Sequence, residues 1–294
     1  MLEHYTFSRR LFLSFNYVFL ACLGILCILP IIHVLALSFS SSAAAQAGYV
    51  KLWPVEFTLS SYDFVTHKAA FWRSIVVTLK RVAVGVPFNM LLTVLVAYPL
   101  SKEVKKFPMR TLYAWVFVVT ILFGGGLIPL YMTVKYTGIM DSLWAMILPG
   151  AVPVFNVILL LNFFRGLPKE LEEAAFMDGA GHWTTLWRIF LPLSLPALAT
   201  ITLFATVGHW NSWFDGIIYM NSPDHYPLQS YLQTVVINRD LTLMSSSDMK
   251  SLAEVNDRTA KAAQIFLGAL PILLVYPFLQ RFFMKGIVLG SVKE

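Results

Sequence analysis

Six long stretches of this chain contain no Asp, Glu, Lys or Arg: 11–50, 82–101, 111–134, 142–164, 189–214 and 262–280. A helix needs about 20 apolar residues to cross the hydrocarbon of a bilayer, and each stretch meets or nearly meets that length. The rest of the composition agrees. Of 294 residues, 57% are hydrophobic and 13% are charged, against roughly 25% charged in a soluble domain. The 23 Phe residues alone are more apolar bulk than one soluble core hides. A disordered chain, a disulfide scaffold and most soluble enzymes are excluded. Lipid cannot satisfy open backbone groups, and no ten-residue alternation suggests a barrel, so the spans must be helical. The expectation is an all-α polytopic integral membrane protein with one transmembrane domain across 1–294. Its six helices are expected at about 12–39, 74–101, 111–134, 142–164, 193–220 and 262–282.

An even number of spans puts both termini on one side. Lys102, Lys105, Lys106 and Arg110 crowd one short loop, and Arg9, Arg10, Arg165, Lys169, Arg188, Arg281, Lys285 and Lys293 share its face. The bias of Lys and Arg toward cytoplasmic loops makes this face cytoplasmic. The outer face then holds two sizeable loops, 40–72 and 221–261, the second with the polar tract Ser245-Ser-Ser-Asp248. Arg9-Arg10, a greasy segment and the Ala43–Ala47 run also resemble a signal peptide. The apolar part exceeds the roughly 7–15 residues of such a segment, so an uncleaved first span is expected, ending near Phe39. Cys22 and Cys27 are five apart, a poor spacing for a metal pair, and read as lipid-phase residues. The net charge of +6 is scattered between apolar segments rather than gathered in a patch, so no nucleic-acid partner is expected.

Between the fourth and fifth stretches lies a loop, 165–192, with unusual local chemistry. Pro168 suits the first turn of a helix, and Glu170, Glu172 and Glu173 favour its positive N-terminal end. Ala174 and Ala175 continue that helix, and Gly179 is placed to end it in a left-handed conformation. A second short amphipathic helix would follow, anchored by Trp183, Leu186, Trp187, Phe190 and Leu191, and lead to Pro192. The result is a compact surface that another protein could grip.

Glu173-Ala174-Ala175, Gly179 four residues on, and Ile189-Phe-Leu-Pro192 together resemble the EAA loop of ABC-importer permeases, with their MetI-like fold. The resemblance implies that this hairpin couples to an ATP-hydrolysing subunit through Glu172, Glu173, Ala174, Ala175, Asp178, Gly179, Ile189, Leu191 and Pro192. Glu173 would be a docking contact and Gly179 the turn. Further blocks are similar to the polysaccharide and oligosaccharide branch: Phe123-Gly-Gly-Gly-Leu-Ile-Pro-Leu-Tyr131, Ile147-Leu-Pro-Gly150, Asn162-Phe-Phe-Arg-Gly-Leu-Pro168, Gly208-His-Trp-Asn-Ser-Trp-Phe214 and Met284-Lys-Gly-Ile-Val-Leu-Gly290. Within that branch the chain resembles permeases for uronic-acid oligosaccharides, including the smaller membrane subunit of alginate-type importers. The resemblance implies a homologous second permease, two ATP-binding cassette subunits, an extracytoplasmic solute-binding protein and a bacterial inner membrane. No Gly-x-x-x-x-Gly-Lys-Ser/Thr loop occurs, so this chain is expected to bind no cofactor and to be no enzyme. ATP and Mg would be used by the partner subunits.

Two groups are candidates for a substrate path, because ionisable groups at membrane depth usually face a cavity or a partner. Arg73, Lys80 and Arg81 either attract the carboxylates of an acidic saccharide or snorkel to the outer interface, or contact the partner permease. His209, Trp210, Asn211, Trp213 and Asp215 suit sugar rings, with Asn211 expected to face the cavity. The same residues also fit helix packing and an aromatic belt. Gly124–Gly126 read as close packing or a flexible break. Two rivals remain. An ion-coupled secondary transporter predicts carboxylates deep in several spans, which the six stretches lack, whereas an ABC permease of the same build for a non-sugar solute is opposed by the resemblance of the Gly208–Phe214 block to sugar permeases.

Overall fold

Length and apolarity make the first helix. The computed structural model describes residues 7–67, 69–237 and 257–291; the tract 245–248 lies outside them. Among the described residues the elements are helices, turns and loops, with no strand. Helix α1 (Phe7–Ser38) runs without a break past Pro30. It ends where Ser40 and Ser41 offer side-chain oxygens to the chain: Ser40 Oγ donates to Ala36 O at 2.6 Å, and Val55 N donates to Ser40 Oγ at 3.0 Å. Ser41 then caps the short α2 (Ser42–Gln46), accepting from Ala44 N at 3.2 Å. Phe39 stacks on Phe57 and tilts against Tyr62 of α3 (Ser60–Thr66). With the described residues of 236–269 these residues form one compact unit.

Residues 70–235 and the described residues from 270 onward form the second unit. Its longest element is α4 (Ala69–Ser101), unbroken although Pro87 and Pro99 lie inside it. One face of α4 carries Ser74, Thr78, Arg81, Gly85, Asn89 and Thr93, all buried. A polar and small stripe of this kind lets helices approach closely in lipid. The next apolar stretches are not single rods. Stretch 111–134 divides into α5 (Arg110–Leu122) and α6 (Leu127–Tyr136), which meet at 114°. Gly126, with φ +86°, makes that corner, in a conformation that favours glycine. Stretch 142–164 divides into α7 (Leu143–Ile147) and α8 (Val154–Gly166), bent by 50°. Pro149 and Pro153 lie at this break and lack the amides that would continue the helix.

Then come α9 (Lys169–Met177), α10 (His182–Thr185), a wide π turn at Leu186–Phe190, and α11 (Leu191–Leu193). Pro192 cannot bond to Arg188 O, which a regular helix would require, and the turn widens there. An 82° bend leads into α12 (Leu195–Asn211), followed by α13 (Phe214–Tyr219), α14 (Leu228–Ile237) and α15 (Asp257–Ser291). By length and composition the described residues hold two unbroken spans, or up to five if each bent pair is one span. The expected segment 262–282 falls within the bounds of α15.

The core of the second unit joins α4, α8, α12 and the π turn, around Ala97, Tyr98, Leu160, Phe164, Leu186, Phe190 and Ile201. Tyr98 meets Phe190 edge to face at 5.2 Å, and Phe164 meets it at 5.4 Å. Each such pair adds roughly 0.5–1.5 kcal/mol beyond its buried area.

Candidate functional site

The hairpin 169–193 starts from Pro168, which stands just outside α9 rather than in its first turn, its φ of −57° already helical. Glu170 and Glu172 occupy that first turn, where the helix dipole favours them. Gly179 has φ +80°. Its N–H donates to Phe176 O at 3.0 Å, and Ala180 N donates to Ala175 O at 2.9 Å. This pair of bonds is the Schellman ending, and it needs the left-handed residue that glycine supplies. Phe176 and His182 then meet edge to face at 5.1 Å across the turn.

The structure separates the residues expected to act together on this hairpin. Glu173, Ala174, Asp178 and Gly179 are exposed, as is Met177 at 88%. Glu172 and Ala175, three apart and so on the opposite helix face, are buried. Ile189 and Leu191 are half-buried and Pro192 is exposed. Trp183 and Trp187, expected as apolar anchors, are instead 65% and 51% exposed. Leu186 and Phe190, four apart, take the inward face, and the tryptophans stand one position round from His182 and Leu186.

Sequence reading missed what holds Glu172. Lys102, one residue beyond α4 and 6% exposed, places Nζ 3.1 Å from Glu172 Oε2. It also lies 3.8 Å from the Tyr98 ring centroid and 4.1 Å from that of Phe190. Lys106 Nζ is 3.4 Å from the other oxygen. Burial pulls the Lys102 pKa below its ordinary value, with Glu172 pushing the other way. Outside this pair, Lys169 bridges to Glu103, and Arg165 Nη2 donates to Leu100 O at 3.0 Å.

The second candidate site is a cavity of about 550 Å³ between α4, α6, the α7–α8 break, α12 and α13. Arg81, His209 and Asp215 from the expected set line it, with Asn89 and Asn156, which sequence reading did not single out. Arg81 grips Asp215 through both terminal nitrogens, Nη1 to Oδ1 at 3.1 Å and Nη2 to Oδ2. Nη1 also donates to Ser212 O at 3.5 Å, Nη2 to Met146 O at 3.3 Å, and Nε to His209 Nδ1 at 3.4 Å. His209 therefore carries its proton on Nε2 and donates to Asn89 Oδ1. Asn89 Nδ2 donates in turn to Gly150 O at 2.9 Å and Ala151 O at 2.8 Å. The carbonyls of 146, 150, 151 and 212 are those freed where α7, α8, α12 and α13 break. Backbone at membrane depth must find partners inside the protein, and α4 supplies them.

Gly85 makes room for this network. A Cβ there would lie 2.7 Å from the His209 ring. The signal for Asn89 was present: Arg81, Gly85 and Asn89 recur every four residues and so share one face of α4. Asn211, expected to face the substrate path, does not line this cavity and is exposed. Ala205, Gly208, His209 and Ser212 share the cavity face of α12, and helical rotation turns Trp210 and Asn211 about 100° or more away. Trp213 does not line it either. Arg73 pairs with Asp224 at 2.8 Å, both exposed, and Lys80 is exposed, so neither joins the network.

Residues 66–288 match the family described as binding-protein-dependent transport system inner membrane component. The chain is 41% identical over 290 residues to Protein LplC of Bacillus subtilis (strain 168), covering 99% of this chain and 97% of that one. It is 39% identical over 288 residues to the polygalacturonan/rhamnogalacturonan transport system permease protein YtcP of the same organism, covering 97% and 99%. Among solved structures it resembles a chain of a bacterial ABC transporter involved in the import of the acidic polysaccharide alginate, with TM-score 0.86, 31% identity and coverage of 96% and 99%. A short helical hairpin, broken helices around a cavity that holds a polar network, and these matches lead to one assignment. This chain belongs to the binding-protein-dependent transport system inner membrane components, the non-catalytic permease subunits of ABC transporters.

Proposed function

We propose that this permease imports acidic, uronate-containing oligo- or polysaccharides, forming half of the translocation path with a homologous second permease. Two ATP-binding cassette subunits using ATP and Mg drive it, and an extracytoplasmic binding protein delivers the saccharide. Six helices span the inner membrane with both termini cytoplasmic. The hairpin 165–192 docks on an ATPase through Glu173, Ala174, Asp178 and Gly179, and closure of the ATPase pair moves it. Binding of ATP and of loaded binding protein to different states shifts the equilibrium between inward- and outward-facing forms.

The observation that carries the coupling reading is the hairpin itself. Its turn is fixed by Gly179, its inner face is attached to the bundle, and its outer face presents an acidic and small-residue surface. Support for an acidic sugar comes from the polygalacturonan and alginate named for relatives. Of the residues proposed for the path, Arg81, His209 and Asp215 line this cavity. Arg81, the one Lys or Arg on the described lining, is already matched by Asp215. In vesicles holding the complete complex, Glu173→Lys should abolish substrate-stimulated ATP hydrolysis while the complex still assembles; normal stimulation would remove the coupling assignment. Uptake of an oligogalacturonate should exceed that of a neutral oligosaccharide of equal length, and the reverse preference would remove the acidic-sugar assignment.

A further inference from the structure

The hairpin is joined covalently to α8 and α12, but not to α4. Yet α4 carries Arg81 and Asn89, which organise the cavity from one side. The inward face of α9 consists of Glu172 and Ala175. Its polar attachment to the bundle is therefore the Glu172 carboxylate, held by Lys102 at 3.1 Å and Lys106 at 3.4 Å. Lys102 is buried over two aromatic rings that belong to the central core, so it cannot leave Glu172 without stranding a charge in apolar surroundings. The Lys169–Glu103 bridge beside it is exposed on both sides, and such pairs contribute little. From Lys102 back to Arg81 runs one helical path of 21 residues, roughly 30 Å at 1.5 Å per residue.

We infer that Lys102 is a positioning residue that ties α9 to α4 through Glu172, so that movement of the coupling hairpin is delivered to the cavity along α4. This rests on the coupling role proposed above. In that arrangement α9 and the end of α4 move as one body during the cycle. An apolar replacement at 102 leaves Glu172 without its buried partner, and α9 then moves under the ATPase without carrying α4.

The test uses the full complex in vesicles. Lys102→Met should retain unstimulated ATP hydrolysis by the assembled complex while saccharide taken up per ATP falls at least tenfold. Lys102→Arg should keep most of the ratio, and Lys102→Met/Glu172→Met should recover part of it, because removing both charges leaves none stranded. A loss of packing alone would lower the amount of assembled complex without changing the ratio. Cysteines at 102 and 172, in a chain with Cys22 and Cys27 replaced by Ser, provide a second measurement that does not depend on the Met variant folding. Joined by a short bifunctional thiol reagent, they should raise saccharide taken up per ATP above that of the same chain left uncrosslinked. A wild-type ratio in Lys102→Met, or no gain in the ratio on cross-linking, overturns the inference. If Glu173→Lys uncouples the complex and Lys102→Met does not, the link through α4 fails alone. If Glu173→Lys has no effect, the coupling reading itself fails.

Discussion

Helix α4 carries two buried ion pairs, and they are built differently. Near one end, Arg81 spends its N–H groups on Asp215, His209 and the carbonyls of Met146 and Ser212. A planar guanidinium in a ring of fixed acceptors has one position. Just past the other end, Lys102 meets one carboxylate and two ring faces. An ammonium on a flexible stem is a compact point charge with rotatable donors. The first arrangement ties together the α7–α8 and α12–α13 breaks, whereas the second joins α9 to the residue that follows α4.

The largest effect should come from breaking the rigid pair. Arg81→Met strands Asp215 and should lower stability of the purified complex by about 3–5 kcal/mol, read from denaturant or thermal unfolding. Arg81→Met/Asp215→Leu should recover most of that loss, since no charge is left unpaired. If Arg81 instead served chiefly to bind saccharide, the double variant would be no more stable than the single one. Next, Gly85→Ala pushes a methyl against the His209 ring and should cost about 1–3 kcal/mol. His209→Ala in the same chain should relieve it, and an additive pair would separate Gly85 from the network.

At the hairpin, Gly179→Ala meets no neighbouring atom, so its cost is conformational, about 1–2 kcal/mol. The effect should show as faster hydrogen exchange at the amides of 179 and 180, with the cavity network undisturbed. The smallest effect concerns Asp141, whose carboxylate accepts from the His225 ring at 2.8 Å and Asn221 N at 3.0 Å. These contacts, His225 first, lower its pKa. A depressed carboxylate stabilises the fold fully above its unfolded value near pH ~4 and loses that contribution as pH falls through the folded value. Asp141→Asn should therefore flatten the acid limb of a stability profile between pH 5 and the onset of acid unfolding, leaving the slope above pH 6 unchanged.

Much of this was legible in the residues. Runs without charge mark apolar helices whatever their neighbours, and Gly179 between an alanine-rich helix and a second helix marks a left-handed turn, because both effects are local. Legibility ended at the bends. Gly126, Pro149 and Pro153 flag places where a helix can break, but the angles of 114° and 50° depend on what packs there. Glu172 and Glu173 are adjacent and chemically identical, and their opposite fates turn on Lys102, about seventy residues away in the chain. That His209 rather than Asn211 lines this cavity is likewise decided by packing, with the His209 ring set against Gly85.

The chain alone determined that these residues form apolar helices, where the hairpin turns, and to which family it belongs, since each depends on short-range chemistry or a motif. Only the tertiary structure decided that Arg81 serves broken helices and that Lys102 holds α9. Those roles come from meetings between groups 134 and 70 positions apart, and no local preference encodes them.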